Sequence, residues 1–166
     1  MRQCHYRATL GALPEMLQTA YGSLMKSLRL QPSDRLLIRG GTTSVGLAAV
    51  AIAKSKGAFV AATTRSKSKF DLLKANGVDQ CLLDDGHVAK SLETGNIEKF
   101  HKCLELVGVT TLHDSLRCVK EGGIVCMTGI VGEHVVFGRG HDVETGWKRR
   151  KHVEQRLVDF GKLLTF

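Results

Sequence analysis

The sequence predicts an α/β domain, a doubly wound parallel sheet with helices on both faces. Three observations carry this. Short apolar runs alternate with segments whose apolar residues recur at three- and four-residue spacing. The runs are apolar throughout, as strands are when crossover helices bury both faces of a sheet. A glycine-rich turn joins the first run to the helix behind it.

Taken in order, Leu13, Met16, Leu17, Ala20, Tyr21, Leu24, Met25 and Leu28 line one helical face, with Pro14 suited to a first turn where its missing N–H costs nothing. Gln31-Pro32-Ser33-Asp34 turns the chain into the strand Leu36-Leu37-Ile38. After Gly40 to Gly46, the residues Val45, Ala48, Ala49, Ile52 and Ala53 keep helical spacing until Gly57. Ala58 to Thr64 is the next strand. Ser66 is placed to cap a helix carrying Phe70, Leu73 and the stem of Lys74 on one face, ended by Asn76-Gly77.

Further on, Cys81-Leu82-Leu83 reads as a strand, Val88 to Leu92 as a short helix and Cys103 to Val107 as a strand ending at Gly108. Thr111 is placed to cap a helix through Leu112, Leu116 and Val119. Glu121-Gly122-Gly123 turns into the strand Ile124 to Thr128, closed by Gly129. Residues 1–132 form the expected folded unit. Residues 133–166 are a divergent basic C-terminal segment, in which Val153, Leu157, Phe160 and Leu164 could line a last helix.

Composition narrows the function. With 166 residues, 43% of them hydrophobic, the chain suits one cored domain and excludes wholesale disorder. No apolar run is long enough to span a bilayer, and residues 1–5 lack the core of a signal peptide, so no membrane partner is expected. The five cysteines are scattered and never paired as Cys-x-x-Cys, which points to a reducing, cytoplasmic setting and away from a disulfide framework. Cys103, Cys118 and Cys126 fit apolar positions as small hydrophobes. The seven histidines, His113 and His134 among them, show no metal-ligand spacing.

The net charge of +8 implies an anionic partner. From Arg35 to Phe70 there is no Asp or Glu, while Arg35, Arg39, Lys54, Lys56, Arg65, Lys67 and Lys69 are basic. A second cluster, Lys148-Arg149-Arg150-Lys151, reads as a solvated face, since Trp147 is its only aromatic neighbour and nucleic acid is not the expected partner.

The turn Gly41-Thr42-Thr43-Ser44-Val45-Gly46 identifies the anion. Between a strand and a helix N-terminus, such a turn lets backbone approach a pyrophosphate, as in a Rossmann-type domain. Thr43 stands where the usual pattern has its middle glycine. At the end of the next strand, Thr63-Thr64-Arg65 occupies the place where NAD-preferring domains hold an acid. Arginine there can fork onto a 2′-phosphate, so NADP(H) is expected in preference to NAD(H).

Several of these residues together resemble a known family. Leu13-Pro14-Glu15 with Thr19-Ala20-Tyr21, then Gly41 to Gly46, Thr63 to Lys69, Glu105-Leu106-Val107-Gly108, Gly122-Gly123 and Thr128-Gly129 look like the medium-chain dehydrogenase/reductase superfamily. The closest likeness is to its zinc-free, quinone oxidoreductase-like and alcohol dehydrogenase-like branch, over residues 11–131. The resemblance implies that Gly41, Thr43, Ser44 and Gly46 hold the pyrophosphate and that Val45 and Thr19 pack beside the nicotinamide. It implies that Arg65 and Lys69, beyond Thr64, sit near the 2′-phosphate, Lys69 the better match. Leu106, Val107 and Gly108 would cover the adenine side, and Thr128, Gly129 and Ile130 the nicotinamide amide. No zinc and no catalytic residue are implied within this chain.

The expected function is therefore hydride transfer between NADPH and a carbonyl, enone or quinone, performed by a complete enzyme of which this is the cofactor-binding domain. The family's separate catalytic domain is not recognisable before Pro14, and residues 133–166 do not resemble the family's continuation. Whether the chain is an enzyme by itself stays open, the alternative being a truncated, inert or regulatory product. Relatives often pair sheet edges as homodimers, although residues 133–166 depart from the stretch on which that pairing rests. A methyltransferase with a similar turn is disfavoured, because its ligand carries no phosphate to match the basic stretch.

Overall fold

The computed structural model describes residues 15–129. Pro14, Ile130 and the whole 133–166 segment lie outside the described residues. Helix α1 covers residues 15–21 and continues as a π-helical turn, Gly22–Ser27. Then follow β1 (Arg35–Arg39), α2 (Ser44–Ser55), β2 (Phe59–Thr64), a 3-10 turn (Lys67–Lys69) leading into α3 (Phe70–Ala75), and β3 (Gln80–Leu83). The second half adds α4 (Val88–Thr94), β4 (Phe100–Glu105), α5 (Val109–Cys118) and β5 (Val119–Met127).

The five strands are parallel, in the order β3-β2-β1-β4-β5. The chain winds outward from β1 through β2 to β3, then crosses back and winds outward through β4 to β5. The order therefore reverses between β1 and β4, and at such a switch point two crossovers leave on opposite faces and open a crevice at the carboxyl ends of the strands. Successive residues of β1 show both faces covered. Leu36 and Ile38 are buried with Leu24, Val50, Ala53 and Leu73, from the helices of one layer. Leu37 is buried with Val88, Leu92 and Leu116, from the other.

Several boundaries differ from the sequence expectation, and the following have a local reason. The fourth strand stops at Glu105, because the N–H groups of Val107 and Gly108 turn inward to Glu105 Oε1, at 2.8 and 3.2 Å. Helix α5 starts at Val109, so Thr111 lies inside it and its hydroxyl donates to the Gly108 carbonyl at 3.2 Å instead of capping. Val119, expected on the same helix, opens β5, and Glu121-Gly122-Gly123 is absorbed into that strand where its register against β4 slips. Gly122, at φ 73°, allows the slip. Ser66 precedes the 3-10 turn without making a capping bond, its hydroxyl lying 2.7 Å from that of Ser68. The π-helical turn, closed by Leu28 N–H on the Ser23 carbonyl at 2.9 Å, has no counterpart in the apolar pattern.

Candidate functional site

The carboxyl end of β1 runs into Gly40, at φ 81°, and the chain doubles back over the end of β2. The Gly40 N–H donates to the Thr63 hydroxyl at 3.1 Å and the Gly41 N–H to the Thr63 carbonyl at 3.0 Å. Here close approach demands glycine. A Cβ on Gly41 would sit 2.7 Å from that of Ala62, and one on Gly46 2.7 Å from the Gly40 oxygen.

Thr43 explains its own presence in the turn. Its backbone is extended, which any residue adopts, and it caps α2 by accepting from the Gly46 N–H at 3.0 Å while donating to the Gly40 oxygen at 2.9 Å. The next N–H groups, on Ser44 and Val45, belong to the first turn and have no acceptor within the helix. They and the helix dipole leave a partial positive charge at the mouth of the turn.

A cleft of about 490 Å³ opens beside this turn. Of the residues expected at the site, Thr43, Thr64, Arg65, Leu106 and Val107 line it. Gly41 and Gly46 are buried beneath it and shape it, and Gly108, at φ 127°, caps the helix behind it. Ser44 is exposed and Val45 half-buried on the first turn of α2. Lys69 is exposed where the 3-10 turn meets α3, off the cleft wall.

Thr19, Thr128 and Gly129 form a separate group. Ser23, fully buried, donates to the Thr19 carbonyl at 2.8 Å and lies 2.9 Å from the Thr128 hydroxyl. The Thr128 and Gly129 N–H groups donate to the Glu105 carbonyl at 2.9 and 3.3 Å. Gly129 is pressed onto the Leu106 backbone, leaving no room for a side chain.

The basic stretch is less available than its composition implies. Arg39 is fully buried and paired with Asp84 and Asp114 at 2.8 and 2.7 Å. Lys54 is paired with Asp79 at 2.8 Å. Arg35 lies over the Phe59 ring at 4.1 Å and beside Glu98 at 3.6 Å. Three of the seven cations are thus structural. Lys56, Arg65, Lys67 and Lys69 have no carboxylate partner among the described residues, and of these Arg65 lines the cleft.

Sequence reasoning did not assign Gly40, Thr42, Thr111 or the run Asp84-Asp85-Gly86 to the site, and all line the cleft. The acidic run directly follows the third strand, and strand ends on this side of a parallel sheet are where such a cleft forms, so that signal was present. Burial pushes the Asp84 carboxyl up, but hydrogen bonds and charge from Arg39 outweigh it and hold the group below its ordinary 3.8. Burial pushes the Arg39 guanidinium down, and its two carboxylates raise it further than burial lowers it.

The family model for zinc-binding dehydrogenases matches residues 44–155 of the chain. The chain belongs to the zinc-binding dehydrogenase family. Its fold is that of the cofactor-binding domain of the medium-chain dehydrogenase/reductase superfamily. Lovastatin diketide synthase mokB of Monascus pilosus is 36% identical over 153 residues, which cover 92% of this chain and 6% of that protein. Among solved structures, the nucleotide-binding subdomain of the enoylreductase domain of PpsC from Mycobacterium tuberculosis superposes with a TM-score of 0.62 at 29% identity, over 69% of this chain and 65% of its own. A quinone oxidoreductase from Pseudomonas syringae pv. Tomato DC3000 gives 0.61 at 28% identity, over 69% of this chain and 35% of its own. The chain spans between 2% and 6% of the length of the curated relatives it matches.

The family's name raises the question of zinc. Among the described residues no three His, Cys, Asp or Glu side chains converge so as to hold a metal ion. The donors among these described residues do not fit zinc. Among the same residues no helix is long and apolar enough to cross a membrane.

Proposed function

We propose that this zinc-binding dehydrogenase family chain binds NADP(H) in the cleft beside Gly40–Thr43 and serves as the cofactor-binding half of an enoyl- or quinone-reducing enzyme. The observation that carries the reading is Arg65 on the cleft wall, at the end of a strand whose last residues, Thr63 and Thr64, offer no carboxylate.

The residues fit the group. The N–H groups of Ser44 and Val45 would hold the diphosphate at the end of α2. Arg65 would fork onto the 2′-phosphate, with Lys69 adding charge from the neighbouring turn. Leu106 and Val107 offer an apolar wall to the adenosine. Thr19 and Thr128, joined through Ser23, would flank the nicotinamide end. When bound, the cofactor supplies the hydride chemistry, and the protein's part is position and electrostatics. The four described cysteines are free and three of them are buried, which supports a reducing compartment such as the cytosol.

Calorimetric titration of the full chain with NADPH and NADH tests the cofactor. Tighter binding of NADPH, weakened about tenfold or more by Arg65→Ala and less by Lys69→Ala, is expected. Equal affinity for the two cofactors, or indifference to Arg65→Ala, would overturn the 2′-phosphate assignment. Oxidation of NADPH with a panel of enones and quinones then tests the activity. A flat trace beside tight binding would assign the chain a binding role alone.

A further inference from the structure

Two carboxylates, Asp84 and Asp85, stand in the cleft proposed to receive NADP(H). The Asp84 N–H bonds the Thr64 carbonyl at 2.9 Å, so Asp84 lies one strand across from the residue preceding Arg65. Asp85 is exposed, and water and salt screen its charge. The Asp84 side chain is 8% exposed and has little such screening. A bare carboxylate there would repel a 2′-phosphate and offer an acceptor to a free 2′-hydroxyl, as the acid of an NAD-preferring domain does.

Asp84 is not bare. Arg39, 0% exposed, reaches it from below with both arms of its fork, Nε to Oδ2 at 2.9 Å and Nη2 to Oδ1 at 2.8 Å. The Thr63 hydroxyl donates to Oδ2 at 3.0 Å and the Gly86 N–H to Oδ1 at 3.1 Å. Each oxygen thus accepts two bonds and is left with nothing to offer a ribose hydroxyl. Nη1 of the same guanidinium bonds Asp114 Oδ2 at 2.7 Å and Ser115 Oγ at 3.1 Å, which fixes the fork in place.

We infer that Arg39 is a specificity-determining residue for the cofactor, bonding both Asp84 oxygens from beneath and offsetting their charge so that the wall beside Arg65 accepts a 2′-phosphate. Arg39 touches no ligand and acts through Asp84. The inference rests on the NADP(H) reading above. Lysine could not replace it, since one ammonium cannot meet both carboxylate oxygens and Asp114 in this geometry.

The test is the ratio of NADPH to NADH affinity, measured by calorimetry on the full chain. Asp84→Asn removes one of the two carboxylates that share Arg39, leaving a neutral Arg39–Asp114 pair, and raises the ratio several-fold. Arg39→Met uncovers Asp84 and lowers it by about tenfold. Arg39→Met combined with Asp84→Asn restores it to within about twofold of wild type. Asp84→Asn keeps the Arg39–Asp114 pair, so it tests the inference even where Arg39→Met does not fold. A structural role would shift both affinities together, and an unchanged ratio in Asp84→Asn overturns the inference while leaving NADP(H) binding intact. Failure of the wild-type chain to bind either cofactor overturns both.

Discussion

The Ser23 hydroxyl lies 2.9 Å from the Thr128 hydroxyl, tying the π-helical turn after α1 to the end of β5 across 105 positions of sequence. Ser23 spends its one proton on the Thr19 carbonyl, so Thr128 donates to Ser23 and can itself accept from the Cys126 thiol, 3.4 Å away. The π register brings this hydroxyl inward, where Ser23 is fully buried. Ser23→Ala and Thr128→Val should each cost about 1 kcal/mol, and the double variant less than their sum by about the same amount. Urea unfolding of the four proteins measures the coupling. Strict additivity would mean that the two hydroxyls do not bond.

The tight approach of α2 to the turn is a second point of leverage. Gly46→Ala places a methyl 2.7 and 2.8 Å from two backbone oxygens that cannot swing aside. A loss of about 3 kcal/mol is expected. Gly122→Ala is the comparison, because its φ of 73° carries strain while nothing stands within 4 Å. It should cost about 1 kcal/mol. Equal shifts of the denaturation midpoint in the two variants would contradict the packing argument.

Acid should weaken the fold through Asp84. Its native pKa lies below the ordinary 3.8, so the unfolded chain takes up the proton more readily than the folded one. The stability from the Arg39–Asp84 pair is therefore complete above about pH 4 and drains away as pH falls through the depressed native value. Asp79, held low by Lys54 and the Val60 N–H against the opposing pull of burial, behaves alike. Melting temperatures taken from pH 7 to pH 3 should fall below pH 4, and less steeply in Asp84→Asn. A profile identical to wild type in that variant would contradict a charged pair.

Burial, chiefly, pushes Cys118 up to about 12, and burial raises Cys103 well above its ordinary value. Neither is a nucleophile at neutral pH. Among Cys81, Cys103, Cys118 and Cys126, a maleimide should reach half-buried Cys81 first in the native chain. Labelling of Cys103 without unfolding would contradict the packing of β4.

Much of the architecture was legible because its signals are local. Leu36-Leu37-Ile38 and Phe59 to Ala62 are continuous apolar runs, and only a sheet covered on both faces buries such runs whole. Asn76-Gly77 and Gly57 mark helix ends through backbone conformations that glycine favours. The limits of β4 and α5 were not legible, because they depend on Glu105 folding back to bond Val107 and Gly108, a choice made by tertiary contacts. The same holds for charge. Arg39 and Arg65 look alike in the sequence, but one is buried against Asp84 and Asp114 while the other faces the cleft. Partners 45 and 75 residues away made that distinction, and no window of sequence contains them.

The cofactor assignment is tested most directly by mapping backbone amide shifts in the full, isotope-labelled chain as NADPH is added. The amides of Thr42 to Gly46, Thr64 to Lys69, Asp84 to Gly86 and Leu106 to Gly108 should move together and saturate at one concentration, with NADH moving the Thr64 to Lys69 group least. Shifts that avoid the Gly40–Gly46 turn, or no saturable shifts in a folded chain, would contradict the assignment.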